Sequence, residues 1–114
     1  MENIVEQGLL YDFYGELLTA HQRQVYEAAV YDDLSLSEIA SEFGISRQGV
    51  HDLLRRCDRI LQDYEAHLHL LARFRMMQAD AGEIIDEAQA CRTDQDPVHL
   101  DRIEELAKKI REEM

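Results

Sequence analysis

The sequence predicts an all-α fold built on a three-helix helix-turn-helix unit, with an N-terminal helix before it and a long recognition helix and C-terminal helices completing it. Three observations carry this. Apolar residues recur at three- and four-residue intervals almost from end to end, capping signatures punctuate that rhythm, and strand-like alternation is absent. At 114 residues the chain is expected to form one domain, 1–114, with the helix-turn-helix at about 20–60 and a C-terminal helical extension at about 80–114.

In residues 2–18, Val5, Leu9, Phe13 and Leu17 recur every four positions, and Ile4, Leu10, Tyr14 and Leu18 widen the stripe. Thr19 with Gln22 is a capping-box pair, so a second helix starts at 20 and buries Val25, Tyr26 and Ala29 before Asp32-Asp33. Ser35 with Glu38 opens the next helix, which carries Ile39, Ala40 and Phe43 and stops at Gly44. Ser46 caps the helix from 47. There Val50, Leu54, Cys57, Leu61, Tyr64, Leu68 and Leu71 form a seam spaced 4, 3, 4, 3, 4, 3. This helix is expected to be the longest and to break at Ala81-Gly82. A short helix with Ile84, Ile85 and Ala88 on one face follows. Asp96-Pro97 reads as cap plus first residue of a last helix burying Ile103, Leu106, Ala107 and Ile110.

The formal net charge of -12 argues against general attraction to phosphates or anionic membranes. The charge is uneven: residues 1–34 carry -6, residues 35–60 carry 0, and residues 61–114 carry -6. No apolar run approaches the roughly 18 residues of a membrane span, and no basic-then-apolar leader opens the chain, so no membrane insertion is expected. Cys57 and Cys91 stand without a CxxC or Cys/His ligand spacing, and two unpaired thiols fit a reducing cytoplasm.

A helix-turn-helix needs a small residue where two helices cross, a residue tolerant of positive φ in the turn, and apolar clamps on the second helix. Ala40, Gly44, and the group Ile39, Ile45, Val50 and Leu54 supply these in order. LSLSEIASEFGISRQGV resembles region 4 of sigma factors. Residues 11–71, through YDFYGELLT, YDDLSLSEIA and SRQGV, resemble the YlxM-type family of small bacterial proteins. That resemblance implies a regulatory role in the signal recognition particle pathway, with the particle's RNA or its GTPase as partner. Gly49 and His51 stand where that family usually has alanine and an aromatic residue.

Setting Val50 inward and turning about 100° per residue places Gln48, Asp52, Arg55 and Arg59 outward. His51 and Arg56 flank that face, and Arg47 sits at its edge. Gln48 suits adenine, arginine suits guanine or phosphate, and Asp52 either accepts from cytosine or holds Arg55 or Arg56 within one turn. Tight DNA binders neutralise roughly six to ten phosphates, so four arginines plus Arg23 imply weak DNA binding by the chain alone. A structured RNA approached with a protein partner suits such a patch better.

A second surface is the strip Leu68, Leu71, Phe74, Met76 and Met77, which either is covered by the chain's own helices or docks a second copy or a partner helix. His67 and His69 lie about 200° apart on a helix and cannot share a metal; His21 and His99 show no partner pattern. Cys57 reads as core packing. No nucleophile triad, phosphate loop or paired acid-base constellation occurs, so neither an enzyme nor a cofactor or metal is expected. Two other readings follow from the same residues. One is a DNA-binding transcriptional regulator; the other is a protein-interaction module in which the helix-turn-helix only shapes the core.

Overall fold

A computed structural model describes residues 4–113. Their order is α1 (Ile4–Tyr14), a 3-10 turn (Gly15–Leu17), α2 (Ala20–Val30), α3 (Leu36–Phe43), α4 (Arg47–Leu68), α5 (Leu70–Asp94) and α6 (Val98–Glu113). Among the described residues there is no strand, and the all-α class is what the sequence predicts. The expected beginning of α1 at residue 2 lies outside the described residues. The chain divides into two compact units, one ending at Leu71 and one starting at Ala72.

The local signals act where the sequence places them. Thr19 Oγ accepts from the Gln22 amide at 3.2 Å while the Gln22 side chain accepts from the Thr19 amide, and Ser35 and Glu38 do the same for α3. Each reciprocal pair satisfies two amides that a helix start otherwise leaves open. Gly44 ends α3 in the left-handed conformation (φ 68°), which a residue without Cβ adopts at no steric cost. The Ile45 amide then reaches back to the Ala40 carbonyl at 3.1 Å, and Ser46 Oγ caps α4 by accepting from Gly49 N at 2.9 Å. Only Gly44, Ile45 and Ser46 separate the two helices, so α4 crosses α3 at a fixed angle.

The resulting core is Val25, Ala28, Ile39, Ala40 and Val50, with Leu36, Phe43, Ile45, Leu53 and Leu54 packed around it. Ile39 and Val50 are wholly buried, as the clamp requires. In α2 it is Ala28 that is buried, while Ala29, the expected core residue, is half-buried.

Helix α1 departs from the expected stripe. Leu10 and Tyr14 are buried within it and Leu18 just after it, whereas Val5, Phe13 and Leu17 are exposed. After Tyr14 the chain passes close to the Tyr11 ring, where a Cβ on Gly15 would lie 2.8 Å from it. Polar bonds fix this packing. Gln7 donates to Asp58 at 3.1 Å, Tyr26 to the same carboxylate at 2.7 Å, Tyr11 to Glu27 at 2.5 Å and Tyr31 to Asp12 at 2.6 Å. Tyr14 donates to Glu65 at 2.6 Å. The Tyr11 and Tyr26 rings stack at 5.4 Å, and those of Tyr14 and Tyr64 at 6.0 Å.

These phenols give a pH signature. Burial and the bond to Asp12 push Tyr31 up to about 12; burial and a carboxylate partner also raise Tyr11 (Glu27) and Tyr14 (Glu65). The folded chain thus keeps protons that the unfolded chain releases near pH 10, and their contribution to stability, complete below pH 10, is lost as the pH rises toward 12. At pH about 11, absorbance at 295 nm is expected to show fewer tyrosinates in the native protein than in urea. Superimposed native and unfolded titration curves would contradict these bonds.

The long seam also ends differently. It packs through Val50, Leu54, Cys57, Leu61 and Tyr64, but Leu68 is exposed and the helix stops there. His69 takes the left-handed conformation (φ 59°), and α5 restarts at Leu70. Tyr14 and Glu65 explain the break. The Tyr14 hydroxyl accepts from Leu70 N at 3.1 Å and Glu65 accepts from Leu71 N at 2.9 Å, so two side chains cap the new helix. No break occurs at Ala81-Gly82; α5 runs through it for 25 residues and exceeds the 22 of α4. Glycine inside a helix costs roughly 1 kcal/mol, which neighbouring bonds offset. Those bonds lie on either side of Gly82: Asp80 to Lys109 at 3.1 Å and Glu83 to Arg102 at 2.8 Å.

Helix α6 starts at Val98, one residue after the expected Pro97, and Asp96 Oδ1 accepts from Val98 N at 3.0 Å. Leu106 is buried and Ile103 and Ile110 are half-buried, but Ala107 is exposed. His99, for which the sequence offers no partner, lies between Glu87 (2.5 Å) and Asp94 (2.8 Å). Its hydrogen bonds to Asp94 and Glu87 raise its pKa, since the doubly protonated ring donates to both.

Candidate nucleic-acid interface

Helix α4 turns Val50, Cys57 and Leu61 into the core, which fixes what its other side presents. Arg47, Gln48, His51, Asp52, Arg55, Arg56 and Arg59 are all exposed on it. The Ser46 cap secures the first turn, so the face begins with Arg47 on a formed helix. Cys57 is wholly buried, and burial raises its thiol pKa to about 11, which keeps it a neutral packing group.

The two acids of this half of α4 behave differently. Asp58 points inward to Gln7 and Tyr26, so its charge is consumed by α1 and α2. Asp52 stays on the surface. It takes neither Arg55 nor Arg56; Gln48 donates to its Oδ1 at 2.9 Å and His51 Nδ1 lies 3.6 Å from the same oxygen. Among the described residues, Arg47, Arg55, Arg56 and Arg59 have no hydrogen-bonding or ion-pair partner. In contrast, Arg102 reaches Glu83 and Glu105, and Lys109 reaches Asp80.

Two open grooves flank the helix. One of about 400 Å³ lies beside Leu36, Arg47, Gln48 and His51, where α3 and α4 begin. The other, about 410 Å³, runs along the start of α2 and is lined by His21, Ile45, Asp52 and Arg56 among others. The sequence alone shows no partner for His21, because only the packing of α2 against α4 brings it to this groove.

The second expected strip comprises Leu68, Leu71, Phe74, Met76 and Met77. Leu71 is buried, Phe74 and Met77 are half-buried, and Leu68 and Met76 are exposed. Among the described residues no three or more His, Cys, Asp or Glu side chains form a metal-binding group, and no helix is long and apolar enough to cross a membrane.

Residues 1–109 match the sequence pattern of the UPF0122 family, described as helix-turn-helix proteins, YlxM / p13 like. A UPF0122 protein of Desulforamulus reducens is 35% identical over 112 residues, covering 98% of this chain and 96% of its own length. One from Thermoanaerobacter sp. (strain X514) is 41% identical over 105 residues, covering 91% and 90%. A third, from Latilactobacillus sakei, is 44% identical over 81 residues, covering 71% and 72%. With full-length relatives at this identity and the helix-turn-helix in place, the chain belongs to the UPF0122 family of YlxM / p13 like helix-turn-helix proteins.

Proposed function

We propose that this chain is a non-enzymatic regulatory protein of the cytoplasm. It binds structured RNA of the signal recognition particle through the outer face of α4, in company with the particle's GTPase. The observation that carries the reading is the clustering of Arg47, Arg55, Arg56 and Arg59, exposed and unpaired, on one face of α4. Arg23, Arg73, Arg92, Lys108 and Arg111 also have no carboxylate partner among the described residues, so what sets these four apart is their grouping on one exposed face of α4. Four such cations on the second helix of a helix-turn-helix form a phosphate-binding surface. Family membership supports the scaffold, and the resemblance to YlxM-type proteins supports the link to the particle.

Magnitude favours RNA with a partner over autonomous operator reading. Duplex readers of high affinity neutralise roughly six to ten phosphates, and a chain at -12 repels the rest of a long duplex. The test is affinity capture by the tagged chain with and without nuclease, followed by titration with the particle's RNA and GTPase at about 0.15 M salt. RNA recovered only without nuclease, and saturable binding of the purified RNA, are the expected results. Enrichment of one duplex DNA sequence from a random pool points instead to a transcriptional regulator. Capture of protein alone, indifferent to nuclease, points to an interaction module.

A further inference from the structure

The groove between the start of α2 and the first half of α4 has the chemistry of a nucleobase pocket. Its apolar walls come from Ile45 and Leu53, both packed on the helix-turn-helix core and therefore held in place. Gly49 lines it without a side chain, and a Cβ there would lie 3.0 Å from the capping Ser46 Oγ. His21, whose ring packs edge-on against Phe43 at 6.1 Å, closes one side. Asp52 and Arg56 supply the polar rim. At about 410 Å³ the groove falls within the roughly 300–1,000 Å³ of small-ligand sites.

Asp52 is the decisive group. A carboxylate on a phosphate-binding face is unfavourable unless it has a hydrogen-bond donor to meet. Here Gln48 donates to Oδ1 at 2.9 Å with His51 Nδ1 3.6 Å away, while Oδ2 has no partner among the described residues. The carboxylate is thus oriented and has one acceptor left over. The exocyclic amine of cytosine, adenine or guanine satisfies it, whereas uracil offers only its N3–H, set between two carbonyl oxygens that a carboxylate repels. Arg56, one turn further along α4 and without a carboxylate partner, meets the phosphate of the same nucleotide. Paired bases in a duplex do not reach such a groove; unpaired bases in RNA loops and bulges do.

We infer that this groove receives one unstacked, amine-bearing nucleobase of an RNA strand, with Asp52 reading its edge and Arg56 neutralising its phosphate. The inference rests on α4 being the RNA-binding face. Its test compares RNA hairpins of equal length that are fully paired or carry a single bulged adenosine or uridine. The full-length protein is expected to bind the adenosine bulge at least about tenfold more tightly than either of the others, a span typical of one base-edge contact. In a hairpin with 2-aminopurine at the bulge, fluorescence should change on binding as the base leaves its stack. Asp52→Asn, which replaces the carboxylate by an amide that also donates, should bring the adenosine-to-uridine ratio to about one while tightening all three hairpins alike, since a negative charge leaves the phosphate-binding face. Equal binding of all three hairpins by the wild-type chain overturns the pocket while leaving the α4 reading intact. Selectivity that survives Asp52→Asn also overturns it, and failure to bind any hairpin removes the α4 reading itself.

Discussion

Replacing Arg55 and Arg56 together by glutamate is expected to weaken binding of the signal recognition particle's RNA by about 100-fold or more at 0.15 M salt, with no change in helix content. The arithmetic is electrostatic. Each phosphate contact contributes about -0.7 to -0.9 to the slope of log affinity against log salt, so a face of four arginines gives a slope near -3. Neutralising the pair to alanine should reduce that slope by about two contacts' worth; reversing it adds repulsion on top. Both side chains are exposed and neither has an ion-pair partner among the described residues, so the fold loses nothing with them. Fluorescence anisotropy across a salt series, with far-ultraviolet circular dichroism as the control, measures it. Unchanged affinity in the double variant would remove α4 from the interface.

The largest effect on stability is expected at Ile39. It is wholly buried between α2 and α4, in the cluster with Val25, Ala28, Ala40 and Val50. Ile39→Ala removes apolar surface and leaves a cavity that helices joined by a three-residue turn close poorly. The cost should be about 2–5 kcal/mol against a total stability of roughly 5–15 kcal/mol. Urea denaturation should show a markedly lower midpoint with an unchanged slope. RNA binding should fall only in proportion to the unfolded fraction. A loss under 1 kcal/mol would mean that the cluster is not the centre of the fold.

The two variants divide the helix-turn-helix into a face and a core, and the sequence distinguishes these well. Ile39, Val50, Cys57 and Leu61 are inside, and Arg47, Gln48, Asp52, Arg55 and Arg59 outside, because helical periodicity and a three-residue turn leave α4 one orientation. The capping boxes of α2 and α3 are legible for a similar reason. Their partners lie three residues apart and are satisfied before any tertiary contact forms.

What the sequence hid lies at long separation. Gln7 and Asp58, and likewise Tyr14 and Glu65, are 51 residues apart, and no local pattern announces either pair. Without them the break at His69 is invisible, since Leu68 and Leu71 continue the heptad spacing and only Tyr14 and Glu65 supply the caps that let α5 begin. The reverse error at Ala81-Gly82 has the same origin. A propensity penalty of roughly 1 kcal/mol is no larger than what the two ion pairs that α6 brings to Asp80 and Glu83 together offset.

By itself, then, the sequence determined the helices of the helix-turn-helix, their caps, their crossing and the side of α4 that faces out. Each depends on residues within about two turns of one another, where the backbone's own hydrogen bonds and the 3.6-residue period decide the outcome. Only the tertiary structure decided which of the 24 acids are spent on tyrosines and cations, and which arginines are left without one. Pairing between side chains far apart in the chain follows the packing of helices. The basic face of α4 is therefore a property of the fold as much as of its residues.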